Sequence, residues 1–247
     1  MTDLTQPQAT IDEIADGIYR ISVPVPPEAI DVPGGFTFNQ YLIVDDKPLL
    51  YHTGPRQMFP LVRDAIARVL PVSQLAYIGF SHYEADECGS LNDFLELAPS
   101  AVPVCTELAA AVSVNDIALR PAKAMADGET LELGKHRVRW FATPHLPHGW
   151  ESGMAFEETT RTLLCGDLFT QPGCSHAPLT EGDILESSEM MRAGMDYYAH
   201  GPDTRRHLER LAATEPAVLA CMHGSAWRGN GAALIKTLAD RLESAQA

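Results

Sequence analysis

The sequence predicts an α+β fold: two stacked mixed β-sheets with helices on their outer faces, in one domain spanning residues 1–247. Three observations predict it. Short strand-like runs, apolar or alternating, recur between turns rich in Gly, Pro and Asp. They fall into two blocks, and each block is followed by segments with helical spacing, the pattern expected when helices cover two packed sheets. No linker-like stretch, low-complexity run or short-period repeat divides the chain.

The elements follow in order. Residues 17–23 alternate apolar and polar side chains, the period of a half-buried strand. Residues 24–35, with their Pro and Gly, form the candidate mobile loop. Residues 40–44 and 48–51 are strands, and Asp45-Asp46-Lys47 between them reads as a hairpin turn. Residues 58–70 place Leu61, Val62, Ala65, Ile66 and Val69 on one helical face. Residues 75–80 are a short, mostly apolar strand. Residues 89–97 read as a helix with Leu91, Phe94 and Leu95 on one side.

The second block repeats the plan. Residues 130–133 and 137–142 are strands around Gly134-Lys135. Residues 153–156 and 162–165 form another hairpin across the polar stretch 157–161. Helices are expected at 184–198 and 204–213, a strand at 217–221 and a closing helix at 231–244.

Composition narrows the function. A chain of 247 residues with 45 % hydrophobic content is long enough to bury a large core. No apolar run approaches the ~20 residues of a membrane span. Residues 1–8 have neither a basic start nor an apolar stretch, so no secretory signal is expected. The net charge of -15 repels phosphate backbones and argues against a nucleic-acid partner. Carboxylates that bind cations would account for part of that charge.

Four segments carry the chemistry, and each begins at the C-terminal end of a predicted strand. The first is Ser81-His82-Tyr83-Glu84-Ala85-Asp86-Glu87-Cys88-Gly89, after the strand at 75–80. His82, Glu84 and Asp86 stand at alternate positions, and alternate side chains of extended backbone share a face. Alone, this segment reads equally as a solvated acidic loop that contains a histidine. Three more segments change the balance. Thr143-Pro144-His145-Leu146-Pro147-His148-Gly149-Trp150-Glu151-Ser152 follows one strand, Cys165-Gly166-Asp167 ends another, and Cys221-Met222-His223-Gly224 a third. Ligand-type residues at a series of strand ends point to one site. The candidate metal ligands are therefore His82, Glu84, Asp86, His148, Asp167 and His223. His176 and His200 read as surface or core histidines. Trp150, Trp227 and Tyr83 read as core or surface aromatics rather than cavity walls.

On these residues the chain resembles the metallo-β-lactamase fold, and within it the metal-binding domain of flavodiiron proteins. The fold at large opens its site with His-x-His-x-Asp-His, flavodiiron proteins with His-x-Glu-x-Asp-His, and this chain with His82-x-Glu84-x-Asp86-Glu87. The intervals of 66, 19 and 56 residues from His82 to His148, Asp167 and His223 in turn are close to that family's. Residues 14–21, 38–44, 89–99 and 127–134 look similar too. The resemblance implies an αββα four-layer sandwich with two metal ions at one edge. His82, Glu84 and His148 would hold one ion, Asp86 and His223 the other, and Asp167 would bridge them. It also favours His148 over His145, because the family often has a serine four residues after this ligand, where Ser152 stands. His145 is then expected near the pocket.

Three departures stand out. Glu87 replaces the family's usual histidine and is expected to bind the second ion or its water. His52 stands where the family commonly has an aspartate; it reads equally as a group supporting a ligand and as a strand-end cap that touches none. The chain ends at Ala247, where flavodiiron proteins continue into a flavodoxin-like domain, so no FMN site is expected.

Glu84 adds a hard oxygen donor, which makes iron the first expectation, with manganese and zinc as alternatives. Two functions follow. One is a diiron protein that binds or reduces dioxygen or nitric oxide, with electrons from a separate partner. The other is a hydrolase of esters, thioesters or phosphoesters that uses a metal-bridging hydroxide. A degenerate scaffold is the third reading, and the six intact positions speak against it. The loops at 24–35 and 171–183 are expected to border the pocket, and a homodimer is an open expectation. Cys88, Cys105, Cys165, Cys174 and Cys221 are odd in number and lack a Cys-x-x-Cys pair. They are expected to be reduced, mostly buried thiols of a cytoplasmic protein, with Cys165 and Cys221 packed beside the site.

Overall fold

The structure, a computed structural model, describes residues 8–244. The reading of residues 1–8 for a leader therefore lies outside it, apart from Gln8. Strands β1 (Thr10–Ala15), β2 (Ile18–Val25), β3 (Phe36–Ile43) and β4 (Leu49–Tyr51) form an antiparallel meander. The sheet continues in parallel through β5 (Tyr77–Gly79), β6 (Val102–Thr106) and β7 (Lys123–Met125).

The second sheet contains β8 (Thr130–Glu132), β9 (Arg137–Ala142), β10 (Gly153–Glu157), β11 (Thr162–Leu164), β12 (Leu179–Thr180), β13 (Val218–Ala220) and β14 (Ala226–Arg228). Their order is β12-β14-β13-β11-β10-β9-β8. β11 and β13 run parallel, as do β12 and β14, and the other pairs are antiparallel. Both sheets are mixed, as the sequence predicts.

Side-chain alternation builds three apolar layers. Tyr41, Tyr51 and Val104 of the first sheet meet Trp140, Ala155, Leu164 and Ala220 of the second in a core between the sheets. The alternate residues Leu42, Leu50, Ile78 and Cys105 face outward. There they pack under α1 (Phe59–Ile66), α3 (Leu91–Leu97) and α4 (Glu107–Ala109), with α2 (Ala85–Cys88) leading into α3. A π-helical turn over Ala110–Val114 and α5 (Asn115–Ile117) complete this layer. On the far side, Met154, Phe156, Leu163 and Leu219 pack under α6 (Leu185–Gly194), α7 (Thr204–Ala212) and α8 (Gly231–Ser244). The result is the four-layer αββα order.

Several boundaries differ from the sequence reading. The expected loop at 24–35 begins later, because Pro24 and Val25 pair with Thr37 and Phe36. The helix expected over 184–198 stops at Gly194, and Tyr197 then leaves its carbonyl free to bond elsewhere. The helix expected from Gly89 is preceded by α2, whose first turn carries Asp86 and Glu87. The extended-strand argument does not hold, because residues 81–84 bend and the Glu84 amide donates to the His82 carbonyl at 3.1 Å. Asp86 reaches the same place from a helical turn, whose N-terminal end favours negative charge. β1, β6, β7, β12 and β14 were not expected at all.

Trp140 is fully buried between the sheets. Trp140→Ala is expected to cost about 3–5 kcal/mol of stability, read as a lower denaturant midpoint with little change in slope.

Candidate metal centre

The C-terminal ends of β5, β9, β11 and β13 meet at one edge of the two sheets. Backbone hydrogen bonds stitch that edge together. The Gly153 amide donates to the Ser81 carbonyl at 2.7 Å, Met222 to Gly166 at 2.9 Å and Asn39 to Met222 at 2.9 Å. Gly224 turns the chain away after His223 with φ +92°, and a Cβ there would meet the Gln171 side chain at 2.5 Å. No other residue type fits that turn without displacing Gln171.

All six expected ligands converge there. The Nε2 atoms of His82 and His148 both lie 3.0 Å from Glu84 Oε2. They stand 3.5 and 3.4 Å from Asp167 Oδ2. The other oxygen, Asp167 Oδ1, is 3.3 Å from His223 Nε2, which in turn is 3.4 Å from Asp86 Oδ2. Asp167 thus turns one oxygen to the His82–His148–Glu84 group and the other to the His223–Asp86 group. His82, Glu84, His148 and Asp167 offer ligand atoms within 4.8 Å of one another, and so do Glu84, Asp86 and Glu87.

The imidazoles are oriented from behind. His148 Nδ1 donates to the Tyr197 carbonyl at 2.8 Å, and His223 Nδ1 to the Thr37 carbonyl at 2.8 Å. A backbone carbonyl accepts only from N–H, so each neutral ring keeps its Nε2 lone pair for the cluster, the usual arrangement of a metal-binding histidine. Phe36 stacks on the His223 ring, with centroids 4.2 Å apart. His82 Nδ1 meets Ser81 Oγ at 3.0 Å, and the same hydroxyl meets His52 Nε2 at 3.1 Å. His52, buried and held at φ +65°, therefore reaches a candidate ligand through one hydroxyl. Both sequence readings of His52 were partial: it ends β4, touches no ligand directly, and supports one through Ser81.

Electrostatics follows the same plan. Glu84 is held down to about 2 by hydrogen bonds from His148 and His82. Burial alone would lower His148 and His223. The carboxylates around them outweigh it and raise the two rings to about 9 and about 10. His52 is pushed down to about 3 by burial and stays neutral. Glu87 is raised well above the usual carboxylate range, by burial and then by Asp167 and Asp86.

Other expected residues stand elsewhere. His145 is exposed against Gly201 and is not one of the clustered residues. The loop that carries both histidines turns His148 inward, and Ser152 Oγ fastens that turn by donating to the Leu146 carbonyl at 2.8 Å. His176 bonds the carbonyls of Pro172 and Gly173, and His200 pairs with Asp196. Trp150 and Tyr83 are exposed, and Trp227 donates to the Gly182 carbonyl. The two expected rim loops meet each other, since Gly173 and Cys174 donate to the carbonyls of Gly35 and Gly34. All five cysteines are free thiols, four of them buried, and Cys165 and Cys221 lie 3.9 Å apart beneath Asp167 and His223.

Sequence reasoning missed four supports. Arg20, only 1 % exposed, donates to the Gly224 carbonyl at 2.6 Å. Asn39 and Tyr41 bond the Cys221 carbonyl at 2.9 and 2.6 Å. Glu151 accepts from the Tyr83 amide at 2.7 Å and steadies the loop between His82 and Glu84. A buried arginine in an alternating strand was the one readable signal, and its polarity pointed to the wrong face.

The residues fit a pair of cations. Glu87 Oε1, Glu87 Oε2 and Asp167 Oδ1 are buried polar atoms without a hydrogen-bond partner, and the Nε2 atoms of His82 and His223 lie 3.8 Å from Glu87 Oε2 and 3.3 Å from Asp167 Oδ1. Such a set is costly unless cations complete it.

Comparison with known proteins gives the family and the fold. The family model described as "ODP family beta lactamase" matches residues 36–224. The rubredoxin-oxygen oxidoreductase of Megalodesulfovibrio gigas is 26 % identical over 206 residues, 80 % of this chain and 50 % of that protein. The anaerobic nitric oxide reductase flavorubredoxin of Salmonella arizonae is 25 % identical over 212 residues, covering 82 % and 44 %. The flavodiiron core of Flv1 from Synechocystis superposes with a TM-score of 0.83 at 21 % identity, over 97 % of this chain and 62 % of that one. This chain spans half or less of the length of such curated relatives. The family match covers most of the chain, which belongs to the ODP family of the β-lactamase fold.

Two outcomes are expected. Ser81→Ala removes the hydroxyl between His52 and His82 and should weaken metal binding by roughly 10–100-fold, measured by competition with a chromophoric chelator. The second concerns metal-free protein. The raised His223 stabilises the fold fully below its unfolded value near ~6.5, and this is lost as pH climbs through about 10. The stability advantage of wild type over His223→Gln, from urea unfolding after chelation, should therefore be largest in mild acid and fade across that window.

Proposed function

We propose that this chain, as an ODP-family domain, is a non-haem diiron protein that binds and reduces dioxygen or nitric oxide with electrons from a separate donor. His82, Glu84 and His148 would hold one iron, Asp86 and His223 the other, and Asp167 both. The observation that carries this reading is Asp167, whose two oxygens lie 3.3–3.5 Å from histidines of two separate groups. When bound, paired irons supply redox equivalents and open positions for a small diatomic ligand. The choice of iron rests on the donor set, because three carboxylates and three imidazoles favour a harder cation than a Cys- and His-rich zinc site does.

The chain's own residues supply the rest. Thr37 and Tyr197 carbonyls fix two imidazoles with Nε2 forward. Phe36 and Phe38 pack on His223 and keep water from that side. Glu84, with its side chain 53 % exposed, and His148, at 29 %, form the side open to solvent. A small ligand would reach the centre there. The names of the relatives support the choice of dioxygen or nitric oxide: one is an oxygen oxidoreductase and another a nitric oxide reductase.

Purification without chelators or a metal-binding tag, followed by mass spectrometry, tests the reading. It expects about two irons per chain and a new visible absorption band on air exposure. It also expects consumption of oxygen or nitric oxide when a reduced flavin or rubredoxin-type donor is added. Two zincs with turnover of an ester or thioester would replace it with the hydrolase.

A further inference from the structure

Glu87 has no part in the six-ligand scheme above, and its surroundings do not explain it. The residue is fully buried, and neither carboxyl oxygen has a hydrogen-bond partner. Among the described residues, no lysine or arginine pairs with it; its nearest ion-pair partner is His82, with Oε2 3.8 Å from Nε2. An unpaired carboxylate in a protein interior is costly, and an alanine or leucine on this turn of α2 would avoid that cost. The carboxyl is nevertheless turned into the cluster, where it offers an oxygen within 4.8 Å of ligand atoms of Glu84 and Asp86. It therefore lies among the candidate ligands, not in the apolar core under α3.

Charge makes the same point. Glu84, Asp86, Glu87 and Asp167 carry four negative charges, and two divalent cations carry four positive ones. A histidine at position 87 would leave the set one charge positive. With Glu87 the account closes to zero, and closure matters most where solvent cannot screen.

We infer that Glu87 is a seventh metal ligand, holding the second cation beside Asp86 and His223. This rests on the dinuclear reading above and deepens it. The two positions then differ in kind. The first has two imidazoles, with Glu84 and the shared Asp167. The second has one imidazole and three carboxylates, Asp86, Glu87 and Asp167. The second is the harder, more anionic position and favours a cation of higher charge.

The test is anaerobic titration of metal-free wild type, Glu87→Gln and Glu87→Ala with ferrous iron. Chelator competition, Mössbauer spectra and thermal unfolding with and without iron are the readouts. Wild type is expected to take up two ions of unequal affinity. Both variants should keep the first affinity and weaken the second by about 10-fold or more, since losses behind the ligands alone reach that size. One of the two Mössbauer doublets should change. The metal-free variants should melt close to wild type, because Glu87 is already uncharged there, and gain less on adding iron. A single cooperative transition without iron shows that they fold. Variants that bind two ions with wild-type affinities and spectra would overturn the assignment of Glu87 and leave the dinuclear centre standing. A wild type that binds one ion or none would overturn the dinuclear centre and Glu87's role with it.

Discussion

Mutual repulsion of clustered carboxylates is the constraint on which the rest of this structure depends. Glu84, Asp86 and Glu87 offer oxygens within 4.8 Å of one another. Ionised together they repel one another, most strongly at the buried end of the set, where burial and its neighbours raise Glu87. Asp167 adds a fourth charge at 5 % exposure. A fold selected for stability alone would scatter these groups. This one concentrates them at the single edge where four strands end, and surrounds them with imidazoles whose rear nitrogens are already committed, two to backbone carbonyls and that of His82 to the Ser81 hydroxyl.

Holding that edge requires polar groups where a sandwich normally places hydrocarbon. The space between the sheets is apolar along most of its length, around Trp140 and Tyr51. At the end nearest the cluster, Arg20, Asn39 and Tyr41 replace that packing and bond the carbonyls of Cys221 and Gly224. Each of these partners carries its own desolvation cost, and together they leave the segment around His223 little freedom to reposition. Order at the ligands thus comes from hydrogen bonds that no ligand makes itself.

Much of this was legible in the sequence, for a physical reason. Charged and imidazole side chains directly after buried strands are improbable unless they meet a partner, so His82, Asp167 and His223 marked three strand ends correctly. The long helices and the hairpins announced themselves through periodicity. Three of the missed strands, β7, β12 and β14, are too short to show a pattern of their own. Lys123-Ala124-Met125 is extended because β6 offers it a parallel ladder, and β12 and β14 are only two and three residues long. Arg20 misled because alternation assigns a charged residue to the outer face, whereas tertiary contacts with Gly224 turn it inward. Burial of Glu87 was equally hidden, since a glutamate in a polar loop gives no sign of its depth.

The clustered side chains come from distant parts of the chain. His82, Glu84, Asp86 and Glu87 leave the first sheet, while His148, Asp167 and His223 leave the second. A cation held by both groups is therefore a cross-link between the two sheets, closing loops of 66 residues from His82 to His148 and of 137 from Asp86 to His223. Like a disulfide, such a link acts on the unfolded chain, whose freedom it removes. Unlike one, it dissociates, so the mechanical union of the two sheets would rise and fall with the supply of free metal ions.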